Sequence, residues 1–252
     1  MLKTTRLENF LRMPAKPLKA MVLAAGLGVR MRPLTDRMPK PLVPVAGQPL
    51  LDHVLDKLAE AGVREAVVNV HYLPDQIIDH VAPRAAPRVT ISDERDVVLG
   101  TGGAVVKALP LLGQAPFFHV NADTLWIDGV RSNLARLAEA FDASRMDILL
   151  LMAPTTSSIG YQGRGDYAMA ADGTLRKRRE HQVVPFVYAG VAIMSPSIFA
   201  DAPQGAFSLT TIFDRANEAE RLYGLRMDGL WMHVGTPDAI AAAEEAFLES
   251  VA

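Results

Sequence analysis

Between residues 20 and 153, short apolar runs alternate with stretches of helical period, and few architectures accept that rhythm. Residues 20–25, 66–70, 88–92, 117–121 and 148–153 read as strands. Between the first two, Leu50, Leu51, Val54, Leu55, Leu58 and Ala59 recur at helical spacing. Pro49 suits the first turn of that helix and Gly62 stops it. A shorter helix is predicted over 74–81 through Ile77, Ile78 and Val81, another through Ala104, Val105, Ala108 and Leu109, and one over 130–141. Strands separated by helices cannot be joined as hairpins. They predict an α/β fold, a Rossmann-like, mostly parallel sheet with helices on both faces.

The rhythm changes after Pro154. Residues 167–179 resemble a hairpin turning at Asp172-Gly173, 187–194 a strand, and 207–221 a helix. Residues 225–227 and 231–234 are expected to form a small β pair around Asp228-Gly229. A last helix is expected over 236–247, with Thr236 as cap and Pro237 at its first position. The second half therefore reads as a small β elaboration on the same sheet. Residues 1–18 precede the first strand and read as an unstructured extension or the product of an upstream start codon.

Composition removes several classes of function. A formal net charge of −2 over 252 residues argues against a broad nucleic-acid or membrane footprint. Without cysteine there are no disulfides, thiolate nucleophiles or Cys-based metal sites. Glu8, Asn9 and Arg12 interrupt any leader-like apolar segment, so a cytoplasmic protein is the expectation.

The stretch from Leu23 to Leu42 carries the chemistry. After the first strand come Gly26 and Gly28, then Arg30, Arg32 and Arg37, then Lys40 between Pro39 and Pro41. Glycines after a strand let backbone N–H groups approach an anion, and nearby cations add charge-assisted hydrogen bonds. This predicts a polyphosphate site. It is not the dinucleotide fingerprint: Met31 stands where a third glycine is needed, and Asn69 where an acid is wanted. The Walker pattern is absent throughout.

Taken in order, Leu23-Ala-Ala-Gly-Leu-Gly-Val-Arg-Met31, Pro33-Leu-Thr35, Pro39-Lys-Pro-Leu42, Ala46-Gly-Gln-Pro-Leu50, Thr101-Gly-Gly103, Val120-Asn-Ala-Asp123 and Val234-Gly-Thr-Pro237 resemble the sugar-1-phosphate nucleotidyltransferases. Lys107-Ala-Leu-Pro-Leu-Leu-Gly113, Gly163-Arg-Gly-Asp-Tyr167 and Gly205-Ala-Phe207 are most similar to the branch that joins UTP to N-acetylmuramate 1-phosphate in peptidoglycan recycling. The resemblance implies transfer of a nucleoside monophosphate to a sugar 1-phosphate with release of pyrophosphate. Partners would be an NTP, a sugar 1-phosphate and, functionally, an anomeric sugar kinase. It further implies one domain over 19–252, with a nucleotide-binding half at 19–125 and an acceptor half at 126–252. Guanylyl-, thymidylyl- or uridylyltransfer to mannose or glucose 1-phosphate is the alternative specificity, and a silent nucleotide-sugar sensor the alternative from another class.

A phosphate monoester is already anionic near neutral pH, so the reaction needs no side-chain base. It needs charge neutralisation and alignment, which Arg30 and Lys40 would supply with Asp123 as catalytic residues. Nucleotide contacts are expected at Leu23, Ala25, Gly26 and Gly28, with Gly102 and Gly103 against base and ribose. The resemblance assigns Asn121, Arg164 and Asp166 to the sugar phosphate and makes Asp123 a Mg2+ ligand. A second metal-binding aspartate of the family is replaced by His233, which admits Mn2+ or another softer divalent ion, a direct phosphate contact or a structural role. Gly100 stands where many relatives have an acid. Arg176 to Arg179 read as a solvated hairpin face, and His71, His119 and His181 lack metal-like spacing.

Overall fold

The computed structural model describes residues 16–251. The expected extension over 1–18 thus lies mostly outside the described residues, and Leu18 already accepts the Arg64 and Glu65 amides at 2.8 and 3.3 Å. The first half runs β1 (Lys19–Leu23), β2 (Pro44–Val45), β3 (Gln48–Pro49), α1 (Leu50–Glu60), β4 (Glu65–Val70), α2 (Pro74–Val81), β5 (Arg88–Asp93), α3 (Gly100–Leu112), β6 (Phe117–Asn121) and β7 (Thr124–Asp128). There follow α4 (Asn133–Ala140), β8 (Ile148–Pro154), β9 (Tyr167–Met169), β10 (Leu175–Lys177), β11 (Phe186–Met194), α5 (Thr210–Glu218), β12 (Leu222–Arg226), β13 (Gly229–His233) and α6 (Asp238–Val251).

Among the described residues nine strands form one mixed, mostly parallel sheet. β5, β4, β1 and β6 lie side by side in parallel. β11 joins β6 antiparallel, β8 joins β11 antiparallel, and β12 closes that edge parallel to β8. The β9–β10 hairpin hangs from the start of β11 through Tyr167 and Phe186.

The strands are apolar on both faces because both are covered. On β1, Ala20 and Val22 enter a core with Leu51, Val54, Leu55 and Leu58 of α1 and Leu134 and Leu137 of α4. Met21, between them, packs the opposite way with Val105 and Ala108 of α3 and Ile212 and Phe213 of α5. A third cluster joins Met31, Val43 and Val45 to Leu125 of β7, Met232 of β13 and Ala243 and Ala246 of α6. It ties the glycine-rich loop to the end of the chain.

The small β pair departs from expectation. β12 pairs with β8, while β13 pairs antiparallel with β7, so the two predicted partners belong to different sheets. β7 has no counterpart among the predicted strands. Its partner lies about a hundred residues away, beyond any local pattern. The helices expected over 130–141 and 207–221 are shorter, because Ser132 caps the former through the Ala135 amide and β12 begins at Leu222.

Candidate active site

The carboxyl ends of β1, β4 and β6 open into a cavity of about 280 Å3. An open α/β sheet offers its ligand crevice at this place. Leu23, Ala25, Gly26, Lys40, Asn121 and Asp123 all line it. The chain leaves β1 through Gly26 and doubles back. Gly28 has a φ of 63°, and a Cβ there would stand 3.0 Å from Thr35 Cγ2 and 3.1 Å from Lys40 Cβ. The buried Thr35 hydroxyl donates to the Gly28 carbonyl at 2.8 Å, and Tyr72 donates to the Thr35 carbonyl at 2.9 Å. Gly28 therefore serves the fold of the loop, and that fold aims Lys40 inward.

Lys40 is only 8% exposed. Its ammonium meets Asp123 Oδ2 at 2.5 Å. Asp123 lies in the two-residue turn from β6 into β7, and the Ala122 amide bonds the Leu23 carbonyl at 3.0 Å. Thr124, next in the chain, donates to the Ala189 carbonyl and accepts Trp231 Nε1 at 2.9 Å. Ala189 lies in an irregularity of β11 between Tyr188 and Ala192, where Gly190 packs against the Asn121 amide. This bulge fixes the turn that carries Asp123.

His233 pairs with Thr124 across β13 and β7, which brings it beside Asp123. Its ring makes no hydrogen bond among the described residues. Burial holds its pKa below the ordinary histidine value; Asp123 opposes that shift, and Lys40 and Arg30 reinforce it. Arg30 is exposed, with Nη1 3.3 Å from the position a Cβ of Gly235 would take. Arg30 and His233 thus flank the Lys40–Asp123 pair at one end of the cavity.

These residues fit a divalent cation. Asp123 is partly open, with one oxygen on Lys40 and the other without a hydrogen bond among the described residues, and the neighbouring imidazole, packed beside Trp231, is biased toward its neutral form. Among the described residues no group of three or more His, Cys, Asp or Glu side chains could hold a metal. A cation held here would rest on at most these two side chains and would take its remaining ligands from water or substrate.

The other end of the cavity contains residues that sequence reasoning leaves without a role. Asn69 accepts the Ala24 amide at Oδ1 at 2.8 Å and donates through Nδ2 to Glu94 Oε1 at 3.0 Å. His71 donates from Nδ1 to the Glu94 carbonyl at 2.7 Å. Glu94 is 2% exposed, and burial pushes its carboxyl above the usual range, partly offset by Asn69. Asn69, His71 and Glu94 line the cavity with Gly100 and Thr101. Glu94 follows β5 in a run of charged residues, and nothing in that run marks which one turns inward.

Gly102 and Gly103 face away from the cavity. A Cβ on Gly102 would stand 2.2 Å from the Phe207 ring, and one on Gly103 2.4 Å from the Gly205 carbonyl. Gly100 has a φ of 67° with the Phe207 carbonyl 2.7 Å from its Cβ position, so no acid fits there. The acid at this end of the cavity is Glu94, with Asp123 at the other. Arg164 is exposed on the loop before β9, and Asp166 Oδ2 accepts the Tyr188 amide at 2.9 Å; neither lines the cavity.

The family model for nucleotidyl transferases matches residues 19–161. The N-acetylmuramate alpha-1-phosphate uridylyltransferase of Caulobacter vibrioides is 47% identical over 94% of this chain and 100% of its own length. The chain is a sugar-1-phosphate nucleotidyltransferase. The enzyme of the same name from Neisseria meningitidis is 34% identical over 87% of this chain and 94% of its own. A UDP-glucose pyrophosphorylase complexed with UDP-glucose shares the fold at a TM-score of 0.75 and 17% identity, covering 93% of this chain and 99% of that one. Nucleotidyltransferases of this family join a nucleotide to a sugar 1-phosphate, in general with a divalent metal. No helix among the described residues is long and apolar enough to cross a membrane.

Proposed function

We propose that this nucleotidyltransferase uses UTP and N-acetylmuramate α-1-phosphate. The observation that carries the specificity is the 47% identity to the Caulobacter enzyme over that enzyme's whole length. Residues 19–125 form the nucleotide half and 126–252 the acceptor half of one domain, and the protein works in the cytoplasm beside an anomeric sugar kinase.

The acceptor's phosphate oxygen attacks the α-phosphorus. The bond to the β-phosphate bridging oxygen breaks, and pyrophosphate leaves with the electron pair. Arg30 and Lys40 lower the repulsion between the two anions and stabilise charge on the leaving group. Leu23, Ala25 and Gly26 bring backbone close to the nucleotide, and Gly28 supports them from behind. Asn121 and Arg164 approach the sugar phosphate, while Asp166 holds their surroundings through β11. Asp123 and His233 would hold Mg2+ or Mn2+, which supplies charge neutralisation and in-line alignment when bound.

The test is pyrophosphate release across UTP, CTP, GTP and dTTP paired with N-acetylmuramate, glucose and mannose 1-phosphates, in Mg2+ and in Mn2+. The highest kcat/KM is expected for UTP with N-acetylmuramate 1-phosphate. A preference for any other pair overturns this specificity, and no turnover with any pair overturns the reaction.

A further inference from the structure

N-acetylmuramate 1-phosphate carries two anions, the anomeric phosphate and a lactyl carboxylate on the same ring. The 1-phosphates of N-acetylglucosamine, glucose and mannose lack the second. On the reading above Arg30 and Lys40 meet the phosphates, so the carboxylate needs a cation of its own.

The segment after β8 supplies one. The Ile159 amide donates to the Trp231 carbonyl and the Ile159 carbonyl accepts the His233 amide, both at 2.9 Å, so this segment runs alongside β13. Tyr161 then folds onto Trp231 with ring centres 5.9 Å apart, and Trp231 lies 5.7 Å from the His233 ring. The chain curls around the Tyr161 hydroxyl, which accepts the Gly165 amide at 3.0 Å. A Cβ on Gly163 would stand 2.3 Å from that hydroxyl oxygen, and one on Gly165, whose φ is 75°, would stand 2.2 Å from the Val184 carbonyl oxygen. The curl therefore demands glycine on both sides of residue 164. Of residue 164 it uses only the backbone, whose carbonyl accepts the Val184 amide at 2.9 Å. The Arg164 side chain is exposed, and its guanidinium takes no partner among the described residues.

The charged neighbours are committed elsewhere. Arg178 donates from Nε to the Gly165 carbonyl at 2.9 Å and from Nη1 to the Arg179 and Gln182 carbonyls at 3.3 and 3.4 Å. Asp166 Oδ2 accepts the Tyr188 amide at 2.9 Å, which turns that carboxylate toward β11. Arg164 is thus an uncommitted cation on a fastened loop, beside the strand that carries His233. Its planar fork matches a carboxylate with two parallel hydrogen bonds.

We propose that Arg164 selects the acceptor by pairing with a carboxylate carried on the sugar ring, an anion separate from the phosphate that reacts. This rests on the N-acetylmuramate reading above and names the side chain that enforces it.

The experiment measures kcat/KM with UTP for three acceptors. These are N-acetylmuramate 1-phosphate, its lactyl methyl ester, which keeps the bulk without the charge, and N-acetylglucosamine 1-phosphate, which lacks the lactyl group. Wild type should use the ester about 10–100-fold less well than the acid, the range for hydrogen bonds to a charged group. Arg164→Met should lose most of that acid-to-ester ratio, and Arg164→Lys should keep part of it, having the charge without the fork. Because the side chain is exposed and unpartnered, both variants should match wild type in thermal unfolding. Preference of wild type for N-acetylmuramate 1-phosphate over N-acetylglucosamine 1-phosphate, combined with equal use of the ester, overturns the role of Arg164 and leaves the acceptor reading standing. An undiminished acid-to-ester ratio in Arg164→Met does the same. Preference of wild type for N-acetylglucosamine 1-phosphate overturns both.

Discussion

The two ends of the cavity are built on opposite principles. At the base end the polar groups are buried, hydrogen-bonded in sequence and fixed in direction, from the Ala24 amide through Asn69 to Glu94. At the end proposed to hold the phosphates, Arg30, Lys40 and Asp123 carry charge, His233 is biased toward its neutral form, and one direct contact joins Lys40 to Asp123. The first design suits recognition of a neutral, rigid ring by hydrogen-bond pattern. The second suits substrates whose charge changes as they react, because groups released from one partner can follow the charge to another. Specificity and rate should therefore fail separately when the two ends are damaged.

The largest effect is expected at the phosphate end. Asp123→Asn should lower kcat on the order of 1,000-fold and leave the preference among bases unchanged. Lys40→Met should cost on the order of 100-fold, again without altering base preference. Steady-state kinetics with UTP and CTP check both, and a shifted base preference in either variant would break the proposed separation.

Gly102→Ala tests the support behind the base end. Its methyl group would meet the Phe207 ring at 2.2 Å, and overpacking of this kind costs about 1–3 kcal/mol. Thermal unfolding should show a loss of several degrees, with Phe207→Ala restoring part of it in the double variant.

A smaller effect comes from beneath the site. His119 is 1% exposed on β6, bonded at Nδ1 to the Tyr188 hydroxyl at 3.0 Å, and burial takes its pKa from 6.5 to about 3. It is neutral when folded, whereas the unfolded chain binds a proton below about pH 6.5. Its stabilising contribution is thus complete above that pH and lost as pH falls toward 3. At pH 5.5 the loss is about 1.4 kcal/mol. Urea unfolding at pH 7.5 and 5.5 should show this difference in the wild type and a smaller one in His119→Gln.

The smallest effect has the opposite sign. Burial disfavours the ionised Glu94 carboxylate, so Glu94→Gln should raise Tm slightly in thermal unfolding. An enzyme that is more stable and less selective would mark Glu94 as a group kept for recognition.

The contrast between the two ends also explains what the sequence reveals. The phosphate-end residues come from short, unusual strings: paired glycines, a lysine between prolines, an aspartate after an apolar strand. Such strings are rare enough to be read without a structure. Asn69 and Glu94 are ordinary residues in ordinary surroundings, and their role follows from hydrogen bonds between adjacent parallel strands that no local pattern encodes. Gly102 and Gly103 read as ligand-facing because glycine permits close approach, but that pattern does not say what approaches. Here it is the segment from Gly205 to Phe207. The sheet is legible in its parallel part, where strands alternate with helices along the chain. It becomes opaque where β7 waits for β13.

That pairing has a consequence during synthesis. β7 ends at Asp128 and its partner begins at Gly229, so a ribosome must make most of the chain before the turn holding Asp123 is braced. The growing polypeptide can lay down β1, β4, β5 and β6 early. The end proposed to hold the phosphates closes only when about the final tenth of the protein emerges.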